Sequence, residues 1–245
     1  MKHIKEKKYA FTILELVFVI IVAGILAATI VARFNRNSLQ EAADQIISHI
    51  RYTRHLAMVD DKFTTNDSKW FKGRWTISFY KNLSFTSARC TNGHYNNIWA
   101  YTIFSDTPTY QGKPTMKEMA RNPINPDQFL SGGYNNTLCI DNVENTDDNQ
   151  SAKSMRLNEK YGIKDMKFSG GCRSNVRHLS FDYLGRPFNS LPSLTAYELP
   201  SSGYHKLLTS RCIIDICTVA NCNNANSNEK ITIAIEPETG YTHIL

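Results

Sequence analysis

The spacing of apolar residues changes twice along the chain. Residues 11–32, FTILELVFVIIVAGILAATIVA, are almost uninterruptedly apolar and carry one carboxylate, Glu15. Beyond them Leu39, Ala43, Ile46, Ile50, Thr53 and Ala57 recur at alternating steps of four and three, the apolar stripe of a helix. Glu41, Asp44, Ser48, Arg51 and His55 fall on the other side. No Gly or Pro occurs between Ile25 and Lys72, so nothing local obliges the helix to stop. The pattern predicts one helix from Thr12 to Val59, about 72 Å long. Its segment 11–32 would rise about 33 Å, matching a hydrocarbon core of about 30 Å, and reads as a transmembrane helix. Segment 33–60 reads as its amphipathic continuation. A two-stranded coiled coil competes for the stripe, but Ala and Thr make a weak seam.

Past Asp61 the period shortens. Runs rich in aromatic and β-branched residues, WTISFY (75–80), WAYTIF (99–104), TLCID (137–141), HLSFDY (178–183), RCIIDICTV (211–219) and KITIAIE (230–236), are separated by Asn, Gly, Ser and Pro clusters. They predict strands. The last run alternates Ile231, Ile233 and Ile235 with Thr232, Ala234 and Glu236, as a half-buried strand does, and PETG then turns the chain into YTHIL. The expected class is α+β: a long N-terminal helix, transmembrane in its first half, packed on a mostly antiparallel β-rich head over 61–245.

Composition sharpens this picture only in part. The chain has 245 residues and a formal charge of +6, half of it in the first ten residues, where Lys2, Lys5, Lys7 and Lys8 oppose Glu6. The remaining excess does not by itself point to nucleic acid. Lysines before the apolar run and only Arg33 and Arg36 just after it place the N-terminus in the cytoplasm and the head outside. Six cysteines, Cys90, Cys139, Cys172, Cys212, Cys217 and Cys222, all follow the apolar segment. An even number on one side of a span reads as disulfides in an oxidising compartment. Zinc is the weaker reading, because the five-residue steps between Cys212, Cys217 and Cys222 are wider than the usual tight pairs.

No catalytic constellation emerges. The seven histidines, His3, His49, His55, His94, His178, His205 and His243, show no metal-ligand spacing, and no G-x-S-x-G or P-loop occurs. GGCRS at 170–174 reads as a glycine turn before a disulfide. The acidic loop IDNVENTDDNQS (140–151) offers oxygen ligands but lacks the calcium-loop register. No enzyme, cofactor or metal is therefore expected.

Glu15 needs its own account, since a carboxylate inside a bilayer costs about 3 kcal/mol even on a lenient scale. A secretory signal peptide is shorter, and a plain signal anchor leaves the acid idle. The stretch A-FTILEL followed by some twenty apolar residues resembles the cleavage and methylation signal of type IV prepilins and type II secretion pseudopilins. HLSFDYLGRP and the strand–PETG–strand ending resemble minor pseudopilins of the H type and minor pilins. The resemblance implies a pilin-like fold. It also implies removal of leader 1–10 by prepilin peptidase between Ala10 and Phe11, N-methylation of Phe11, and an assembly role for Glu15, the fifth mature residue. Ala10 stands where the family usually has Gly.

The partners so implied are other pseudopilins or pilins, prepilin peptidase, an inner-membrane assembly platform and membrane lipid. The implied location is the bacterial inner membrane, single-pass, with a periplasmic head later extracted into a filament of a secretion, pilus or DNA-uptake machine. The competing reading is a DNA-binding receptor subunit using Lys164, Lys167, Arg173, Arg177 and Arg186 on its head. DDNQS also resembles an acid-extended bacterial N-glycosylation sequon, with Asn149 as acceptor.

Overall fold

The computed structural model describes residues 13–60, 62, 64–67, 70–85, 93–108, 110, 112, 114–133, 150–174, 176–189 and 206–245. In chain order the elements are α1 (Ile13–Val59), β1 (Trp75–Phe85), β2 (Gly93–Ser105), α2 (Leu157–Tyr161), β3 (Asp165–Gly170), β4 (His178–Phe181), β5 (Pro187–Phe188), β6 (Cys212–Cys217), β7 (Lys230–Ile235) and β8 (Thr242–Ile244). Contacts divide the chain into two units, with the boundary between Asn37 and Ser38.

In the first unit, the described side chains of α1 run from Ile13 to Leu26, fourteen residues. Here the sequence expectation is corrected. Among the described residues no helix is long and apolar enough to cross a membrane. Fourteen residues rise about 21 Å, short of the roughly 20 residues that a span requires. Reading residues 11–32 as a span counted both Phe11–Thr12 and residues 27–32, whose side chains lie outside the described set. The pilin-like class with a transmembrane first half is withdrawn on this ground. So is the single-pass inner-membrane location with a cytoplasmic N-terminus and periplasmic head.

The second unit is β-rich. Its strands form two four-stranded sheets, in the orders β2-β1-β4-β5 and β3-β6-β7-β8, where one mostly antiparallel head had been expected without this division. Every pairing within them is antiparallel. The β1–β2 hairpin is the longest, pairing Trp75 with Ser105 and Phe85 with Gly93 across a bulge between Lys81 and Leu83.

All six stripe residues of α1 are buried, none more than 4 % exposed. Leu39, Ile46 and Ile50 join one core with Ile77, Phe79, Tyr101 and Phe181 of the first sheet and Phe168, Ile214, Ile216, Ile233 and Ile235 of the second. Burying each such Leu or Ile is worth about 1.5–3 kcal/mol, so packing rather than propensity holds this part of the helix. Thr53 fits among them because its Oγ1 donates to the His49 carbonyl at 2.7 Å.

Strand β6 alternates as a half-buried strand should, but β7 does not: Ala234 is as buried as Ile233 and Ile235. Ala234 lies between Ile213 of β6 and His243 of β8, and so small a side chain is covered by its neighbours on either face.

Two disulfides tie the second sheet. Cys172–Cys212 links the end of β3 to the start of β6, and Cys217–Cys222 closes the turn after β6. Cys90 and Cys139 lie outside the described residues.

Candidate functional site

Apart from Glu15, Ile13–Leu26 carries no charged residue, and all of it is exposed. Its large apolar residues range from 84 % exposed at Ile13 to 46 % at Val22, and Glu15 stands in the first turn. A helix apolar all round is built to be surrounded. A contiguous exposed apolar surface of this kind marks an interaction site.

In the second unit a buried polar seam lies between α1 and the β-rich body. Gln45 and His49, one turn apart, flank the apolar stripe. The Tyr161 hydroxyl donates to Gln45 Oε1 at 2.6 Å, and Gln45 Nε2 donates to the Tyr101 hydroxyl at 2.7 Å and to the Ser154 carbonyl at 2.8 Å. The Tyr101 hydroxyl then lies 2.7 Å from His49 Nδ1. Burial pushes the His49 imidazole down from 6.5 to about 4 and raises the Tyr101 phenol. Burial, and after it the charge of Glu41, raises Tyr161. The seam is structural, since its side chains bond one another and the Ser154 carbonyl.

Among the described residues Ser78 and His178 form a pair resembling a nucleophile and base: Ser78 Oγ lies 2.6 Å from His178 Nδ1 across the β1–β4 ladder. Ser78 is only 1 % exposed, and His178 is held down to about 4 by burial and then by the Arg177 charge. A base already neutral, facing a hydroxyl that solvent does not reach, is a satisfied core pair. Sequence reasoning missed both it and the seam, because each joins residues far apart in the chain.

A third assembly joins α1 to two turns. The buried Asp182 carboxylate accepts from the backbone of Leu184 and Arg186 and pairs with the Arg186 guanidinium at 2.7 Å. Arg54 of α1 donates to the Gly185 carbonyl in the same turn at 3.3 Å, and Arg51 donates to the Thr242 carbonyl at 2.7 Å.

The basic residues singled out for DNA are not gathered as one free patch. Arg186 is spent on Asp182, the Arg177 guanidinium lies 4.8 Å from the Trp99 ring centroid, and Lys167 donates to Asn223 Oδ1 at 2.7 Å. Lys164 and Arg173 are exposed beside β3. Ala10, Phe11 and Asn149 lie outside the described residues, as does most of the acidic loop. Ser151, two residues beyond Asn149, is fully buried and accepts from Arg156 at 2.9 Å. Among the described residues no group of three or more His, Cys, Asp or Glu is placed to hold a metal ion. Compared with known proteins, the chain matches no family model, no curated protein and no solved structure.

Proposed function

We propose that this chain is a structural subunit of a helical filament, a minor pseudopilin or minor pilin, with no catalytic activity of its own. The observation that carries the reading is the exposed apolar surface of Ile13–Leu26 with Glu15 in its first turn. At about 1.5–3 kcal/mol for each large apolar side chain covered, side-by-side packing of such helices supplies ample driving force for assembly. The disulfides of the second unit suit an oxidising compartment. The prepilin-type motif adds a maturation step: prepilin peptidase cleaves between Ala10 and Phe11, and Phe11 is N-methylated.

Methylation leaves the new amine cationic. Two opposite charges then enter a dry filament core from each subunit, the Phe11 amine and the Glu15 carboxylate. Pairing Glu15 with the amine of a neighbour neutralises both and sets the axial step, because one buried charge left alone costs several kcal/mol. The machine served would be a type II secretion system, a type IV pilus or a DNA-uptake apparatus.

Intact-mass and N-terminal analysis of the protein from its native host tests the reading. The expected product begins at a methylated Phe11. A mature protein beginning at Met1, or cut beyond Ala28, contradicts it.

A further inference from the structure

Among the described residues of the second unit, large exposed apolar side chains gather where α1 meets two turns. Met58, near the end of α1, is 46 % exposed, Leu184 in the turn after β4 is 53 % exposed, and Tyr241 just before β8 is 56 % exposed. Apolar residues scattered singly over a surface mean little, but a contiguous group marks an interaction site. Contiguity here comes from two glycines. A Cβ placed on Gly185 would lie 2.8 Å from Arg54 Nε and 3.0 Å from Met58 Sδ. One placed on Gly240 would lie 2.8 Å from the Gly185 carbonyl oxygen and 3.2 Å from Arg54 Cδ. Helix and turns therefore meet over bare backbone, and Leu184 and Tyr241 are the chain neighbours of those glycines.

Two guanidinium groups are already held at this surface. Arg51 donates through Nε and Nη2 to the Thr242 carbonyl, at 3.2 and 2.7 Å. Arg54 donates through Nε to the Gly185 carbonyl at 3.3 Å. Arg51 Nη1 and both Nη groups of Arg54 keep hydrogens to give, and among the described residues no protein acceptor takes them. Nor does either arginine meet a carboxylate there. The acids flanking the two turns are committed elsewhere, Asp182 to Arg186 and Glu236 to Arg211 and His243. Fastening the turns to α1 accounts for the Nε bonds. It does not account for the uncovered apolar side chains around them.

The chemistry of this surface selects its partner. A guanidinium fixed at Nε offers its Nη edge to a carboxylate in the bidentate geometry, with little further freedom to lose. Met, Tyr and Arg are also the residues enriched where protein interfaces are buried and strong. A nucleic acid fits less well, because bases stack on open aromatic faces. The Tyr241 ring already stacks on His243, 5.2 Å between centroids, and has the Arg51 guanidinium at 5.8 Å, while Met58 and Leu184 bring no ring.

We infer that this surface binds a short acidic segment of another protein, with carboxylates on Arg51 and Arg54 and apolar side chains on Met58, Leu184 and Tyr241. The inference does not rest on the filament reading, which concerns Ile13–Leu26.

Fluorescence anisotropy with the full chain in mild detergent tests it, using three labelled peptides of equal length. One alternates glutamate with leucine, one alternates glutamine with leucine, and one is glutamate throughout. The first should bind saturably, about tenfold more tightly than either of the others, and should weaken as salt is raised. Leu184→Glu sets a carboxylate on the exposed turn without touching the arginine bonds, and should weaken that binding about tenfold. Arg51→Lys combined with Arg54→Lys should weaken it as well, since the charges stay and the bidentate edge is lost. Circular dichroism checks that each variant is folded. No saturable binding, equal binding of the three peptides, or binding unchanged in Leu184→Glu overturns the inference. Displacement of the peptide by a thymidine oligonucleotide also overturns it, in favour of a nucleic-acid site. A self-associated chain that Leu184→Glu turns monomeric overturns it in favour of an interface between copies.

Discussion

His49 Nδ1 on α1 lies 2.7 Å from the hydroxyl of Tyr101 on β2, 52 residues further along the chain. Tyr101 already accepts from Gln45, so its own proton points at His49, and Nδ1 must be the acceptor. The chain of donors Tyr161–Gln45–Tyr101–His49 therefore has one direction, and it requires a neutral imidazole. Protonating His49 would set two donors against each other inside the seam that fastens the helix to the body.

Acid should loosen the fold through this group and through His178. Both imidazoles are pushed from 6.5 down to about 4. Above pH 6.5 both are neutral whether the chain is folded or unfolded, so neither contributes a pH dependence. Between pH 6.5 and about 4 the unfolded chain binds these protons and the folded chain does not, so stability falls. By pH 4 the loss is about 3 kcal/mol for each histidine. Imidazole NMR signals should show both residues neutral in the folded protein at pH 5. Titration near pH 6.5 in the folded protein would contradict the seam geometry.

The two described disulfides should differ in worth. Cys172–Cys212 closes a loop of 40 residues in sequence separation, Cys217–Cys222 one of 5. Loop entropy assigns the first about 4 kcal/mol and the second about 2 kcal/mol. Denaturant unfolding of the paired Cys→Ala variants under non-reducing conditions should rank them in that order.

The turn between β7 and β8 depends on Gly240. Its φ is +64°, and a Cβ there would lie 2.8 Å from the Gly185 carbonyl oxygen and 3.1 Å from the Phe181 ring. Gly162 has a similar φ, +70°, with open space around it. Gly240→Ala should therefore cost about 2–3 kcal/mol and Gly162→Ala about 1 kcal/mol, since only the first adds a clash to backbone strain. Equal effects in thermal unfolding would show that the turn yields freely.

Local pattern carried some features of this fold into the sequence and not others. The stripe from Leu39 to Ala57 was legible because a helix repeats its buried face every three or four residues. The strand runs around 75–80, 99–104 and 230–236 were legible from their β-branched and aromatic content. The division into two sheets was not, because partner choice is set by non-local packing that no run of residues encodes. Ala234 is buried for the same reason. The polar seam escaped notice because Gln45 and His49 look like the border of an amphipathic helix, and Tyr101 and Tyr161 look like ordinary aromatics, until the fold brings them together. The long helix was legible, expected from Thr12 and observed from Ile13 to Val59, but the membrane span read into it counted residues beyond the described side chains.

Under the filament proposal, Ile13–Leu26 is covered by the equivalent helix of another subunit. A photoreactive residue placed at Val19, 59 % exposed, tests it most directly when the full chain is irradiated in its native host and the adduct is mapped by mass spectrometry. The expected product is an adduct between two chains, joined within their apolar N-terminal helices and diminished by Glu15→Leu. Adducts to lipid alone, or no protein adduct at Val19, would contradict it.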